Sequence, residues 1–279
     1  MRYVRLRGPD GVEVGVVQDG QVVTKAGRRV EVLDPEPLTL AAPYELLLPV
    51  EPPEVWCAGV TYERSRDARV GESVVRDVYT LVYEAARPEL FLKDAACRRT
   101  VGPGRPIAIR EDSTWNVPEP EIGLVLGGQG RIEGLTIGND VSSRDIEGAN
   151  PLYLPQAKVY AGACAIGPAV YVPEHVDAVL TIHARVTDEF GRIAFEGETS
   201  TARMRRSYAE LVHWLLLDNP VPPGSVLLTG TGLVPPDDFN LRPGHVVEIR
   251  VPGIGTLVNP VVRAAELIER SSPDDRDHD

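Results

Sequence analysis

Three cysteines, Cys57, Cys97 and Cys164, are all the chain contains, an odd number without the spacing of a metal site. Their scarcity argues against a disulfide framework and for a reduced, cytoplasmic compartment, with each cysteine a small core residue. Long apolar runs are missing too, and no stretch approaches the length of a membrane span. Met1-Arg2-Tyr3-Val4-Arg5 leads into alternation instead of the apolar block of a signal peptide. A basic excess is also absent: the formal net charge is −12, which argues against a nucleic-acid partner, since that would call for a basic face. Residues 271–279 hold four aspartates against Arg276, account for part of that charge and are expected to form a disordered tail. His175, His183, His213 and His245 are scattered without mutual spacing, so none is assigned a catalytic role. Gly127-Gly128-Gln129-Gly130 lacks the Lys-Ser/Thr and the following helix of a phosphate loop, and reads as a hairpin turn.

What is present is the material of a globular protein. Apolar residues make up 43% and charged residues 25% of 279 positions, enough for one large domain plus a small appendage. Residues 3–23 alternate around turns at Gly8-Pro9-Asp10-Gly11 and Asp19-Gly20, which predicts a small β meander. Pro35, Pro37, Pro43, Pro49, Pro52 and Pro53 block regular pairing and predict a surface linker. The domain boundary falls there. Residues 1–50 are read as a small N-terminal β domain with its linker, 51–270 as the main domain and 271–279 as the tail. Residues 55–60 read as a buried strand, and the charge-rich 61–70 as a loop or short helix at its exit. Ser73 can cap a helix carrying Val74, Val78, Leu81 and Val82, which Pro88 stops. Strands are expected at 91–93, 124–126, 131–137, 169–171, 180–187, 192–196, 226–228 and 246–251, and a helix with core-facing Met204 and Tyr208 over 200–217.

The chemistry gathers between Val117 and Pro168. In Val117-Pro118-Glu119-Pro120-Glu121 the prolines favour extended backbone, so Glu119 and Glu121 point off one face of a strand. Two like charges side by side need a counterion, and a divalent cation suffices if a third oxygen ligand arrives. Asp140, at the end of the apolar run Leu135-Thr136-Ile137, is well placed to supply it. Hard oxygen ligands without nearby His or Cys favour Mg²⁺ or Mn²⁺, admit Ca²⁺ and disfavour Zn²⁺. A Glu-x-Glu pair taken alone is more often a solvated strand face. Its company sets this one apart: the run Gly138-Asn139-Asp140-Val141-Ser142-Ser143-Arg144-Asp145, then Lys158 in a segment poor in charge. Arg144 reads as a structural partner of Asp145. Thr229-Gly230-Thr231-Gly232 forms a turn in which glycine lets backbone N–H groups and the Thr231 hydroxyl approach an anion.

Taken in order, Pro88-Glu89-Leu90-Phe91-Leu92-Lys93, Glu119-Pro120-Glu121, the 138–145 run, Lys158 and Leu228-Thr229-Gly230-Thr231-Gly232 resemble the signature of the fumarylacetoacetate hydrolase superfamily. The resemblance covers roughly residues 54–268. Gly59-Val60-Thr61-Tyr62-Glu63-Arg64-Ser65 and the 145–158 segment look most like its 2-keto-3-deoxy-D-arabinonate dehydratase branch. Hydrolases of the superfamily carry a His and a Glu that activate water; at the matching positions stand Ser65 and Ala68, neither of which can act as a base near neutral pH.

The resemblance implies an α+β, mostly β fold in which a mixed sheet curls into a barrel-like roll with the metal at its mouth, beside a small N-terminal β domain. It implies Mg²⁺-dependent dehydration of a 2-keto-3-deoxy sugar acid to 2,5-dioxopentanoate. The metal would be held by Glu119, Glu121 and Asp140, with Lys158 and Glu89 as catalytic candidates and Thr231, Gly230 and Lys93 on the substrate side. It also implies a homodimer or homotetramer. The alternatives are a metal-dependent acylpyruvate hydrolase or oxaloacetate decarboxylase and, from another class, an inactive β-rich binding module.

Overall fold

The computed structural model of the chain describes residues 1–72 and 77–269. The Ser73 cap with Val74, and the acidic tail, lie outside the described residues. Alternation builds the N-terminal meander: β1 (Arg2–Gly8), β2 (Gly11–Gln18), β3 (Gln21–Thr24) and β4 (Arg29–Pro35) pair in antiparallel succession. Val4, Leu6, Val22 and Val30 pack with Leu38 and Ala169 into an apolar cluster of their own. At the Asp19-Gly20 turn both residues take left-handed backbone, with φ of 49° and 72°, as a two-residue hairpin requires. The proline-rich stretch is not wholly unpaired as expected. Strands β5 (Leu38–Leu40) and β6 (Glu45–Leu46) form between its prolines, because β5 is a sheet edge and β6, among the described residues, pairs with β1 alone.

The remaining strands are β7 (Glu54–Gly59), β8 (Glu89–Ala95), β9 (Thr100–Val101), β10 (Ile107–Ile109), β11 (Asn116–Val117), β12 (Pro120–Leu126), β13 (Ile132–Asp140), β14 (Ser142–Ser143), β15 (Cys164–Tyr171), β16 (Thr181–Thr187), β17 (Ile193–Ser200), β18 (Val226–Leu228), β19 (Val246–Val251) and β20 (Gly255–Arg263). Among the described residues six α-helices accompany them: α1 (Glu63–Glu72), α2 (Asp77–Glu84), α3 (Arg144–Ala149), α4 (Leu154–Lys158), α5 (Tyr208–Leu216) and α6 (Ala264–Glu269). The charge-rich segment after β7 is thus helical, and α5 begins later than its apolar period suggests. Ser200 still belongs to the ladder of β17, opposite Thr181, and it is Ser207 that caps α5 by accepting from the Glu210 N–H at 3.1 Å. No helix among the described residues is long and apolar enough to cross a membrane.

The fold is mostly β, with mixed sheets. The large sheet runs β5-β4-β3-β2-β1-β15-β13-β12-β18-β7-β8, with β9 beside β15; β18 pairs β7 and β15 pairs β9 in parallel. A second sheet, β10-β20-β19-β16-β17, packs against one face of it. Ile122, Leu124, Leu135 and Ile137 from the first sheet and Ile182, Val247, Ile249 and Leu257 from the second form the main core. Alternation sends the intervening residues to the other face, where Val125 joins Val55, Cys57, Cys164, Ile166, Val226 and Leu228 in a second cluster.

That second face is strongly curved. At roughly 4.8 Å per strand, four strand spacings would put β8 about 19 Å from β13 in a flat sheet. Yet Lys93 of β8 forms an ion pair with Asp140 of β13. The sheet therefore curls until its β7–β8 edge returns over the same face. Side chains complete the circuit: Asp94 on β8 accepts from the N–H of Arg99 at 2.9 Å and from the N–H and hydroxyl of Thr100 at 2.9 and 2.7 Å. Thr100 in turn opens β9 beside Cys164 of β15. The strand order stays open at both ends, so the unit is a roll and not a closed barrel.

Asp94 is 1% exposed, so Asp94→Ala leaves buried donors without an acceptor. It is expected to destabilise the fold by about 3 kcal/mol or more, measured by denaturant unfolding at neutral pH; a loss below about 0.5 kcal/mol would show that the closure carries no load.

A buried carboxylate cluster as candidate active site

The register of β12 and β13 assembles the site. Pro120 pairs Asn139 and Glu121 pairs Gly138, so the next step places Glu119 opposite Asp140, and the Asp140 N–H donates to the Glu119 carbonyl at 3.0 Å. With a period of two, Glu119, Glu121 and Asp140 share the curved face while Ile122 and Ile137 face the main core. One carboxylate oxygen from each of the three lies within 4.8 Å of the others, and all three residues are at most 4% exposed. Gly138 keeps the neighbouring position clear, since a Cβ there would run into the Leu228 side chain.

Three cations answer this charge. Lys158, the last residue of α4, donates from Nζ to Glu119 Oε2 at 2.8 Å, Asp140 Oδ2 at 2.9 Å and Ser142 Oγ at 2.6 Å. Its ammonium stands 5.7 Å from the centre of the Phe91 ring. Lys93 pairs with Asp140 Oδ1 and donates to the Val141 carbonyl at 3.0 Å. Arg144 donates from Nη2 to Glu119 Oε1 at 3.0 Å. Glu121 has a different partner: its Oε2 accepts from the Gly230 N–H at 2.6 Å. Burial, then Asp140 and Glu119, push the Glu121 carboxyl well above the ordinary carboxylate range, against the Gly230 N–H and Lys158.

The donor set suits a hard divalent cation. It offers three carboxylates with no histidine or thiolate among them, gathered where burial penalises uncompensated negative charge. Cys57 and Cys164 stand near the cluster, but burial first, then Asp140 and Glu121 for Cys57, raises its thiol well above the ordinary value, and Cys164 is raised to about 12. Both remain thiols, and all three cysteines are free.

The other sequence-predicted residues are placed as follows. Glu89, Phe91 and Lys93 share one face of β8, and the Glu89 carboxylate lies over Gly59, where a Cβ would collide with it. Gly230 takes a left-handed φ of 90°, and the anion its N–H meets is the Glu121 carboxylate. The Thr231 hydroxyl donates to the Leu233 carbonyl at 3.2 Å and accepts from the Leu233 N–H at 3.1 Å, closing its own turn. Ser65, at the missing hydrolase position, is buried on α1.

Arg144 is not the partner of Asp145. It turns inward to Glu119, whereas Asp145 accepts from Ser113 Oγ at 2.7 Å and from the N–H and hydroxyl of Thr114 at 2.7 and 2.9 Å. Adjacent residues of α3 point different ways, and that decides it. Ser142 is a further site residue that the motifs alone do not single out, although its position two residues beyond Asp140 is a signal for it.

The model of the fumarylacetoacetate (FAA) hydrolase C-terminal family matches residues 54–262. The chain belongs to the FAA hydrolase family. One FAA hydrolase relative, 2-dehydro-3-deoxy-D-arabinonate dehydratase of Saccharolobus solfataricus, is 44% identical over 225 residues, covering 78% of this chain and 75% of that one. Another, a probable 2-keto-3-deoxyxylonate dehydratase of Haloferax volcanii, is 51% identical over 215 residues, covering 77% and 74%. Among solved structures, 2-keto-3-deoxy-D-arabinonate dehydratase complexed with magnesium and 2,5-dioxopentanoate superposes with a TM-score of 0.78 at 34% identity, covering 94% of this FAA hydrolase chain and 99% of that one.

Two outcomes are expected. Glu119→Gln or Asp140→Asn should weaken Mg²⁺ or Mn²⁺ binding by at least roughly 100-fold, read by calorimetry or Mn²⁺ resonance, since even outer partners of metal sites cost about 10- to 100-fold. Burial alone would raise the Asp145 carboxyl, but hydrogen bonds from Thr114 N–H, Ser113, the Thr114 hydroxyl and Ile146 N–H hold it below the ordinary range. A lowered folded pKa stabilises above the unfolded value, about 3.9, and that stability is lost as pH falls through the folded pKa. Asp145→Asn should thus cost about 1 to 2 kcal/mol at pH 7, with the difference shrinking in unfolding curves taken below about pH 4.

Proposed function

We propose that this FAA hydrolase family member removes water from a 2-keto-3-deoxy sugar acid, such as 2-dehydro-3-deoxy-D-arabinonate, to give 2,5-dioxopentanoate. The observation that carries the reading is the trio of buried carboxylates with Lys93 and Lys158 on them, in a chain 44% and 51% identical to dehydratases of this substrate class. Glu119, Glu121 and Asp140 would hold the Mg²⁺, with Mn²⁺ able to replace it. When bound, the ion supplies Lewis-acid polarisation of a 2-oxo acid carbonyl, which acidifies the adjacent C3–H.

The chain's own groups do the rest. A base must take one C3 proton, and the C4 hydroxyl must gain a proton to leave as water; the 5-hydroxy-2-oxo-3-enoate that remains loses a C5 proton and regains one at C3, and the C4=C5 enol so formed tautomerises to the 2,5-dioxo product. Lys158 and Glu89 are assigned to these proton transfers. Lys158 stands on Glu119 and Asp140, and Glu89 shares the β8 face with Phe91 and Lys93. Lys93 offers positive charge to the anionic substrate. Gly230 and Thr231 serve the substrate side, Gly230 by fixing Glu121 through its N–H. The Ser65 and Ala68 positions leave no base for water-activated C–C cleavage, which favours dehydration over hydrolysis.

The same proposal includes a homodimer or homotetramer in the cytoplasm. It also treats residues 1–50 as an appended β domain, a division supported by their separate apolar cluster although β1 hydrogen-bonds to β15, and 271–279 as a solvated tail.

Steady-state turnover should show 2-keto-3-deoxypentonate consumed with Mg²⁺ and not after exhaustive chelation, while acylpyruvate and oxaloacetate are spared; the reverse preference would sink the reading. Lys158→Met should abolish turnover while Mg²⁺ affinity is kept or increased, because Lys158 sits on two of the three carboxylates.

A further inference from the structure

The proton transfers assigned to Lys158 ask more of it than its backbone can supply. It is the last residue of α4, a helix of five residues, and its ammonium rides on a flexible four-carbon stem. Placement matters, because a misplacement of about 1 Å can cost a reaction about 100-fold. Side-chain contacts therefore decide where Nζ sits.

Three of those contacts are the hydrogen bonds to Glu119, Asp140 and Ser142. Two of the acceptors are carboxylates that would also hold the divalent ion. Each would then divide its attraction between the ion and the ammonium, while those two cations repel one another. Neutral groups keep their hold in that state. Ser142 is one, its Oγ fixed by donating to the Asp140 carbonyl at 2.9 Å. The ring of Phe91 is another.

Phe91 is anchored independently of the charges. It stands opposite Cys57 in the ladder of β7 with β8, and its ring packs against the apolar cluster of Val55, Cys57, Cys164 and Ile166. Lys93, farther along β8, pairs with Asp140, so this strand brings the ring up to the carboxylates. Lys158 Nζ lies over the ring, 5.7 Å from its centre, and Lys158 is 2% exposed. The negative face of an aromatic ring attracts a cation, and more strongly where water is excluded. It does so without accepting a proton, which leaves the ammonium its chemistry.

We infer that Phe91 is a positioning residue for the dehydration: the face of its ring holds the Lys158 ammonium in place for proton transfer, through a contact for which the divalent ion does not compete. This rests on the dehydratase reading above and adds to it a residue that acts through Lys158.

The test replaces Phe91 in the full chain with mono-, di- and trifluorophenylalanine. Each fluorine draws electron density from the ring face and leaves the shape of the ring nearly unchanged. With 2-keto-3-deoxypentonate and saturating Mg²⁺, kcat is expected to fall step by step, to about one fifth or less at the trifluoro ring. KM, and the Mg²⁺ affinity read by calorimetry, should stay within about 2-fold. A kcat indifferent to fluorination shows a ring that only packs, and overturns the inference while the dehydratase reading stands. A loss of Mg²⁺ affinity that tracks the loss of kcat puts the effect of the ring on the carboxylates, and overturns it as well. An intact enzyme that does not dehydrate the substrate overturns both.

Discussion

The site depends on burying like charges together, which is costly unless cations reach them. Glu119, Glu121 and Asp140 are forced onto one face by the period of two and the register of β12 with β13. Their answering charges come from three different places: Lys93 from an edge strand, Lys158 from the end of α4, and Arg144 from the start of α3. Take away the curvature of the sheet and Lys93 is left strands away from Asp140. Curvature and electrostatics are therefore one constraint.

That constraint explains why the roll needs no complete ring of strands. A ladder between β8 and β9 would have to match the slant and stagger of the whole sheet. The bonds from Arg99 and Thr100 to Asp94 fasten the same two strands locally, without committing the backbone to a register. The roll interior can then be filled unevenly, with Val125, Ile166, Val226 and Leu228 at one end and ion pairs at the other.

Much of this was legible in the sequence, and the rest was hidden for identifiable reasons. The meander, the mostly β content, the hairpin of β12 and β13 and the family membership follow from local alternation, turns and ordered motifs. The gathering of Glu119, Glu121 and Asp140 was reachable because it needs only a period of two and one hairpin register. The direction taken by Arg144 was not, since which of two adjacent helical residues turns inward depends on what α3 packs against. The late start of α5 was hidden by an apolar period that continues through strand residues.

The bond from the Gly230 N–H to Glu121 ties the 229–232 turn to the carboxylates at 2.6 Å. On the proposed function, the carboxylate end that would hold the oxo acid and the turn assigned to the substrate side are thus referenced to one point, like the jaws of a calliper. Such an arrangement would gauge molecular length: a homologue one carbon longer or shorter would arrive at the second jaw out of step, however well its first end is held.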